Sequence, residues 1–308
     1  MQQPRLLTRR AFLRLFAAGS TALALTACIG APVEPTKPPA LPAATSAGPA
    51  PSPAPTAYPS GKIGLKTPLP AAEGRVYGWT GKLLDVNLSD GRIKVRDSRE
   101  LSERYLGGRG VAARLAWDEI PAGTDPYDPE NRFMVMAGAL TGSMAPFSGR
   151  CGVYAISPQA YPTPMFSRAG LGGHWGAELK YAGYDGIVVH GQASRPVYLA
   201  IEDDRVEIRD AGDLWGQGMY ATQRRLMDKL GKETRVLAIG QAGENLSRIA
   251  VVATETQSAA GQGGFGAVMG SKKLKAIALR GRGSVAVAEP EAFFTRCQAV
   301  ARESREAR

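Results

Sequence analysis

The chain has 308 residues, of which 44% are hydrophobic and 21% charged, as in an ordinary globular protein of one large domain or two smaller ones. Its formal net charge is +10, but four of these charges lie in the first 14 residues, and no Lys/Arg block interleaved with aromatic residues is found elsewhere. The charge pattern therefore argues against nucleic-acid binding. The three cysteines, Cys28, Cys151 and Cys297, form no CxxC pair and predict neither a disulfide framework nor a metal knot.

Residues 1–28 predict an export signal. A basic start precedes an apolar run, Leu15 to Ala27, that is too short to span a bilayer comfortably. TRRAFLR (8–14) matches the twin-arginine motif of proteins exported already folded, and LTAC (25–28) resembles the lipoprotein box, in which Cys28 would be acylated. The alternatives are an ordinary signal peptide with a chance arginine pair, or a short membrane anchor. We expect a protein exported by the twin-arginine route and lipid-anchored on the extracytoplasmic face of the cell membrane.

Residues 29–74 are rich in Pro, Ala, Ser and Thr and predict a disordered tether, because so little apolar surface cannot offset the entropy of ordering. The folded domain is expected over 75–284. The final stretch, 285–308, predicts a helix that starts at Pro290 and reaches the end of the chain without a cap, as in a truncated helical C-terminal region.

Periodic patterns within the folded part predict many strands with a few helices between them. The predicted strands and hairpins are GKLLDVNLSDGRIKVRD (81–97), RFMVMAGALTG (132–142), GRCGVYAISP (149–158), GIVVHG (186–191), PVYLAIEDDRVEIRDA (196–211), TRVLAIG (234–240) and SRIAVVAT (247–254). Helices are predicted within 102–120, from about Gly176, and over 220–231, with Leu115, Trp117 and Ile120 facing a core. This order favours an α+β fold over a doubly wound sheet.

Three glycine-rich segments, 141–150, 168–186 and 258–279, lie between these elements. In the third, Gly261, Gly263 and Gly266 fit the dinucleotide fingerprint, but the strand immediately before it and the long crossover helix after it are not predicted. We favour loops whose bare amides wrap an anionic cofactor, with Arg150 able to bind a phosphate or a ring carbonyl. Tight connections in a β-rich fold are the plain alternative.

Eight stretches in order resemble the N-terminal domain of the aldehyde ferredoxin oxidoreductases, the tungsten-pterin enzymes. They are GKLLDVNLSDGRIKV, YLGGRGVAARL, DPYDPENRF, ALTGSMAPFSGR, GGHWGAELKYAGYDGIVVHG, PVYLAIEDDRVEIRDAGDLWG, AIGQAGENLSRIAVV and AAGQGGFGAVMGSKKLKAIAL. The resemblance runs from about Val76 to Gly283. It implies a β-rich α+β domain of two pseudo-repeated sheet halves with a few helices, forming the base for a bis-pterin cofactor that holds tungsten or molybdenum, with magnesium.

The resemblance places the cofactor contacts by position. The matching residues are Arg150, between pterin and iron–sulfur cluster; Gly172, Gly173 and Trp175, in the first pterin loop, with His174 beside them; and Ala259, Ala260 and Gly261, in the second, after Ser258. No catalytic residue and no protein ligand to a metal is assigned.

The chain departs from the family pattern at four of these positions or their neighbours. Gly170 replaces an asparagine, Ser258 and Gln262 replace arginines, and Cys151 replaces an aromatic residue. The loss of two guanidinium groups would weaken phosphate binding by a few kcal/mol, at about 1.5–3 kcal/mol each. An altered or degenerate cofactor site is therefore one expectation.

The function that the resemblance implies is oxidation of an aldehyde or other oxo donor to an acid, with electrons passed through a [4Fe–4S] cluster to a ferredoxin-like acceptor. Four later cysteines hold this cluster in the family, and the three cysteines here cannot supply them. The cluster is expected from C-terminal domains or a separate subunit, so the chain alone should be inactive. The other implied partners are the electron acceptor and the membrane, with a homo-oligomer left open.

Two rival functions stay open: a non-catalytic, lipid-anchored binding module or accessory subunit with a degenerate pterin site, and a nicotinamide-dependent dehydrogenase. Individual residues also have plain alternatives. His174 fits a pterin contact or a surface role equally well, and His190 is expected to be structural. Cys151 is expected to be a small buried hydrophobe. Glu244 and Asn245 predict a cap turn, and the lysines predict a solvated face: Lys272, Lys273 and Lys275.

Overall fold

The computed structural model describes residues 76–256 and 258–307, which belong to one compact unit, Lys66–Arg308. The predicted signal peptide, Cys28 and the whole of the predicted tether (29–74) lie outside the described residues, so the structure does not bear on them. Among the described helices, none is both long enough and apolar enough to cross a membrane.

The first six strands form one mixed sheet. They are β1 (Lys82–Asn87), β2 (Arg92–Asp97), β3 (Phe133–Met136), β4 (Cys151–Ser157), β5 (Met165–Leu171) and β6 (Gly186–His190). Their order across the sheet is β2-β1-β6-β3-β4-β5, and only β1 and β6 pair in parallel. The predicted hairpin over 81–97 is confirmed as β1–β2.

The next six strands form a second sheet with the same plan. They are β7 (Val197–Glu202), β8 (Arg205–Asp210), β9 (Arg235–Ala238), β10 (Val252–Thr254), β11 (Ala259–Ala260) and β12 (Leu274–Arg280). The order, β8-β7-β12-β9-β10-β11, repeats that of the first sheet with six added to each strand number, and again only β7 and β12 pair in parallel. The expected α+β domain of two pseudo-repeated sheet halves is confirmed.

Seven helices complete the described part. They are α1 (Arg99–Tyr105), α2 (Gly108–Glu119), α3 (Trp175–Tyr181), α4 (Met219–Leu230), α5 (Gln241–Glu244), α6 (Phe265–Ser271) and α7 (Pro290–Glu306). The helix predicted within 102–120 is two helices, because Leu106 and Gly107 take positive φ values of 60° and 80° and break it. α3 and α6 occupy equivalent places in the repeat, before β6 and before β12.

The core lies between the two sheets. One cluster contains the inward residues of both sheets, such as Val153 and Ile277, together with Trp175 and Phe265 from the two intervening helices. The helices exchange partners: α3 packs on β9 and β12, whereas α6 packs on β3 and β4 as well as on its own β12. The outer faces carry smaller clusters, one on the first sheet with α2 and one on the second with α4.

Two predictions about burial are wrong. Trp117 does not face a core: it is 82% exposed, while Leu115 on the same helix is buried. Lys272 and Lys275 do not form a solvated face, since both are fully buried. The Lys275 ammonium pairs with Glu244 and donates to Gln217 O at 2.8 Å. Backbone carbonyls therefore receive the Lys272 ammonium, and a carboxylate and a carbonyl receive that of Lys275, which the run of basic residues could not reveal.

Candidate functional site

Three loops meet at one end of the first sheet, and each is one of the predicted glycine-rich segments. Loop A (137–150) joins β3 to β4, loop B (172–174) joins β5 to α3, and loop C (255–264) leads from β10 through β11 to α6. A Cβ added at Gly149 of loop A would lie 4.0 Å from Gly173 O of loop B. Gln262 of loop C donates to Arg168 O of β5 at 2.8 Å. The three loops therefore share one side of the domain.

Loops B and C interlock through hydroxyl groups. A Cβ on Gly172 would stand 3.0 Å from Ser258 Oγ, and one on Gly173 would overlap Thr256 Oγ1. Thr256 Oγ1 is in turn 3.0 Å from Thr254 Oγ1. The neighbouring loop thus leaves no room for a side chain at Gly173, which also has φ +79°, and little room at Gly172. Their contact with a ligand stays a prediction.

At most glycines of loop C and α6, an added side chain would meet other atoms of the protein rather than open space. A Cβ at Gly266 would lie 2.5 Å from Val251 O, and Cβ atoms at Gly264 and Gly270 would overlap Arg248 O and Gly243 O. Gly261 differs, because its Cβ would meet nothing within 4 Å. Only this part of the glycine run leaves bare, exposed backbone for a ligand.

Arg150 stands at the end of loop A with its side chain exposed. Its Nη1 is 3.4 Å from the position that a Cβ on Gly170 would take, so the guanidinium lies over the bare face of β5. No carboxylate pairs with Arg150 among the described residues. An exposed guanidinium beside bare amides is chemically suited to phosphate or to a ring carbonyl.

The other predicted contacts divide by burial. His174 and Ala259 are exposed, Ser258 is half-buried, and Trp175 and Ala260 are buried. Trp175 Nε1 donates to Ile277 O at 3.3 Å, so this side chain serves the core between the sheets. The structure brings the predicted residues together at one end, but it turns the indole of Trp175 inward.

Sequence patterns missed two polar side chains of this site. Thr254 and Thr256 contribute the hydroxyls that hold loop C beside Gly173. Thr254 also donates to Ser258 O, from its backbone N at 2.9 Å and from Oγ1 at 3.3 Å. The alternation TETQS over 254–258 is the signal that could have identified them, since it places three hydroxyls at period two.

Cys151, directly after Arg150, is not placed to act as a reactive thiol. It is 5% exposed, and burial raises the pKa of its thiol to about 12. The expectation of a small buried hydrophobe is confirmed. The described residues also contain no group of three or more His, Cys, Asp and Glu side chains that could hold a metal ion.

Loop B and the last part of loop C, residues 261–264, take equivalent places in the repeat. Loop B lies between β5 and α3, and residues 261–264 lie between β11 and α6, which are the same connections in the two halves. Residues 261–264 contact the first sheet through Gln262, whereas Thr256 and Ser258, which contact loop B, lie between β10 and β11. Each of the two equivalent connections is followed by a fully buried aromatic residue and a glycine, Trp175-Gly176 and Phe265-Gly266. Such a pair of related loops suits a ligand with two similar halves.

A family profile and several known proteins match the described part of the chain. The family profile of the aldehyde ferredoxin oxidoreductase N-terminal domain matches residues 83–281. A tungsten-containing aldehyde ferredoxin oxidoreductase of Pyrococcus furiosus is 45% identical over 221 residues, which are 71% of this chain and 36% of the relative. The WOR-like subunit of an aliphatic sulfonate oxidoreductase from the same organism is 37% identical, over 68% of this chain and 35% of its own.

A solved structure shows the same fold. The BamBC active-site complex of benzoyl coenzyme A reductase, with 1,5-dienoyl-CoA, matches 75% of this chain and 35% of its own chain, at a TM-score of 0.72 and 39% identity. The chain therefore spans about a third of the length of the relatives it matches.

Proposed function

Because the chain belongs to the aldehyde ferredoxin oxidoreductase family, we propose that it is the part of an oxidoreductase that binds a tungsten-pterin cofactor. The observation that carries this proposal is that loop B and residues 261–264 of loop C, which are equivalent in the two halves, lie on the same side of the domain as the exposed Arg150. A bis-pterin has two similar halves, and two related loops offer each half the same kind of backbone contact. The tungsten in the names of the relatives supports the choice of metal.

The residues present fit such a group. Gly261 leaves exposed backbone with no protein atom within 4 Å of its missing side chain, and Arg150 supplies a positive charge nearby. In the proposed complex these residues hold and orient the cofactor, with Ser258 and His174 offering hydrogen bonds. When bound, the metal–pterin group supplies the two-electron redox chemistry. The protein positions the cofactor and supplies positive charge. The Cys151 thiol does not compete as a nucleophile, because it is buried and stays protonated.

We propose oxidation of an aldehyde or related carbonyl substrate to an acid as the overall reaction. The electrons would leave through an iron–sulfur cluster held by cysteines that this chain lacks, in C-terminal domains or a separate subunit, and would pass to a ferredoxin-like acceptor. This chain matches only about a third of the length of its relatives, which supports the need for further domains or a partner subunit. The same proposal includes magnesium bound with the cofactor and assembly as a homo-oligomer.

Replacing Gly261 with valine tests the cofactor site. A valine there fills open space in front of the loop without meeting other protein atoms, so the fold should persist while tungsten or molybdenum and pterin content fall at least fivefold. Gly218→Val is the matched control, because Gly218 is equally open but precedes α4 in the second half. Metal analysis and pterin fluorescence of protein purified from its native host, with any partner, give the readout. Wild-type protein lacking both metal and pterin would refute the proposal.

The second candidate is a non-catalytic binding module, and one feature of loop C favours it. The described residues of loop C include no positively charged side chain, and the polar groups near loop B and β5 are neutral, at Thr256, Ser258 and Gln262. Protein that retains metal and pterin but gives no aldehyde-dependent reduction of a viologen dye, with its partner subunit present, would indicate this function. Turnover under the same conditions would indicate the enzyme.

Export and lipid anchoring of Cys28 are a separate proposal, supported by the motifs of residues 1–28. Wild-type protein should partition into a detergent phase after cell lysis, and Cys28→Ser should move it to the aqueous phase. Equal partitioning of the two proteins would count against acylation.

A further inference from the structure

Three arginines gather on the outer face of β4 and β5, next to loops A and C. In β4–β5 pairing, Tyr154 lies directly opposite Arg168, and Gly152 lies opposite Gly170. Because side chains alternate along a strand, Arg150, Gly152 and Tyr154 share one face with Arg168 and Gly170. The third arginine, Arg109, begins α2, the helix that packs on this face through Ala112.

This face is bare at its centre. With no side chain at Gly170, the Arg150 guanidinium can lie across β5 toward Arg168. A Cβ on Gly152 would overlap the Tyr154 hydroxyl, which folds back over that glycine. Tyr154 is held in place by stacking on Phe166, with ring centroids 6.2 Å apart. Its hydroxyl is thus fixed beside the guanidinium groups.

The arginines on this face lack carboxylate partners among the described residues, unlike the other arginines of the first half. Of the nine arginines between residues 76 and 190, six pair with a carboxylate of the described chain: Arg92, Arg96, Arg99, Arg104, Arg114 and Arg132. The three that do not are Arg109, Arg150 and Arg168. The charges of Arg109 and Arg168 reach the Tyr154 hydroxyl, whose pKa burial nevertheless raises, so it stays a hydrogen-bond donor at neutral pH.

We propose that Arg109, Arg150 and Arg168, with the Tyr154 hydroxyl, bind one phosphate-class anion on the bare face of β4 and β5. Guanidinium groups bind phosphate through paired hydrogen bonds, and three of them without carboxylates repel one another unless an anion lies between them. Arg109 and Arg168 would thereby supply positive charge that loop C lacks. The inference depends on the proposed function only for the source of the phosphate, which is either the cofactor or another phosphate ester.

Titration of the full chain with orthophosphate and with pyrophosphate, followed by calorimetry, tests this patch. The protein is prepared without pterin in a host that cannot synthesise it. We expect saturable 1:1 binding that Arg109→Gln, Arg150→Gln and Arg168→Gln each weaken about tenfold. Arg114→Gln, on α2 but paired with Asp118, should change the affinity less than twofold. Unchanged melting temperatures would show that the variants fold.

A second variant separates position from charge. Gly170→Val leaves every charge intact but should push the Arg150 guanidinium from its place, and we expect it to weaken phosphate binding as much as Arg150→Gln does. Absence of saturable binding, or equal weakening by Arg114→Gln, would overturn the proposal. Loading with tungsten-pterin then identifies the source: phosphate binding that disappears points to the cofactor's own phosphate, and binding that persists points to a separate phosphate ester. The pterin-free measurement stands even if the chain never binds a pterin.

Discussion

At the residue scale, Lys272 shows how this fold buries a positive charge without a carboxylate at hydrogen-bonding distance. Its ammonium lies 3.1 Å from Pro129 O, 3.3 Å from Gly191 O and 3.4 Å from Asp128 O. These carbonyls belong to the turn before β3 and to the end of β6, whereas Lys272 follows α6. One side chain thus ties the second half to the first.

Lys272 should make stability depend on pH. Burial lowers its pKa from 10.5 to about 7, with Arg132 acting in the same direction and the charges of Glu130 and Asp128 opposing it. At pH values between about 7 and 10.5, the unfolded chain binds a proton at Lys272 that the folded chain does not. The free energy of unfolding therefore rises with pH over this range, by at most about 1.4 kcal/mol per pH unit. Below pH 7 the lysine is charged in both states and this contribution no longer changes.

Urea denaturation of wild type and Lys272→Met between pH 7 and 9.5 measures this effect. The variant leaves the three carbonyls without a donor, so at pH 7 it should be less stable than the wild type by about 1–3 kcal/mol. The difference in the free energy of unfolding between the two proteins should widen as pH rises, because only the wild type becomes more stable. Lys273→Met, at a half-buried neighbour, should follow the wild-type slope. Parallel curves for Lys272→Met and wild type would contradict the assigned pKa.

Single residues also mark the limit of sequence-based prediction here. The glycine run 261–270 correctly indicated close approach, but pattern alone could not show that most approaching atoms are the protein's own carbonyls. Trp117 and Leu115 share a helix, and their opposite exposure depends on which face the first sheet covers. The burial of Lys272 likewise depends on a turn about 140 residues earlier in the chain. Long-range packing decides these cases.

At the scale of elements, α5 and α6 pack closer than any side chain would permit. A Cβ on Gly243 would lie 2.7 Å from Gly266 O, and one on Gly270 would overlap Gly243 O. This contact fixes α6, and with it the end of loop C. Sequence patterns missed β5, β11, α6 and β12. Glycines obscure the alternation of β5, β11 has only two residues, and α6 and β12 lie in the glycine-rich segment 258–279, which was predicted to be a loop.

Gly270→Ala should therefore destabilise the domain, although alanine favours helix by about 1 kcal/mol over glycine. Separation of α5 from α6 outweighs that gain, and we expect a net loss of about 2–3 kcal/mol in the free energy of unfolding. Gly261→Ala, in the same loop–helix unit but open to solvent, should change it by less than about 0.5 kcal/mol. Chemical denaturation of both variants without cofactor provides the comparison. A neutral Gly270→Ala would mean that the two helices are not in contact.

At the scale of the whole molecule, the repeat joins two sheets that do not have separate cores. The family resemblance implied two halves, but the exchange of helices could not be deduced from the sequence, because neither half encodes which sheet its helix covers. Trp175 of the first half is fully buried against the second sheet, bonded to Ile277 O. Phe265 of the second half is equally buried, in a helix that packs on β3 and β4.

This exchange predicts that neither half folds alone. A fragment of residues 76–193 would expose Trp175 and Leu179, and one of residues 194–307 would expose Phe265 and Met269. Full burial of such side chains contributes about 1.5–3 kcal/mol each, against a total domain stability of about 5–15 kcal/mol. We expect each fragment alone to lack dispersed amide signals in NMR spectra, and an equimolar mixture to recover native-like dispersion. A stable native-like spectrum from either fragment alone would show that its sheet has a sufficient core of its own, and that the site between loops B and C joins two independent units.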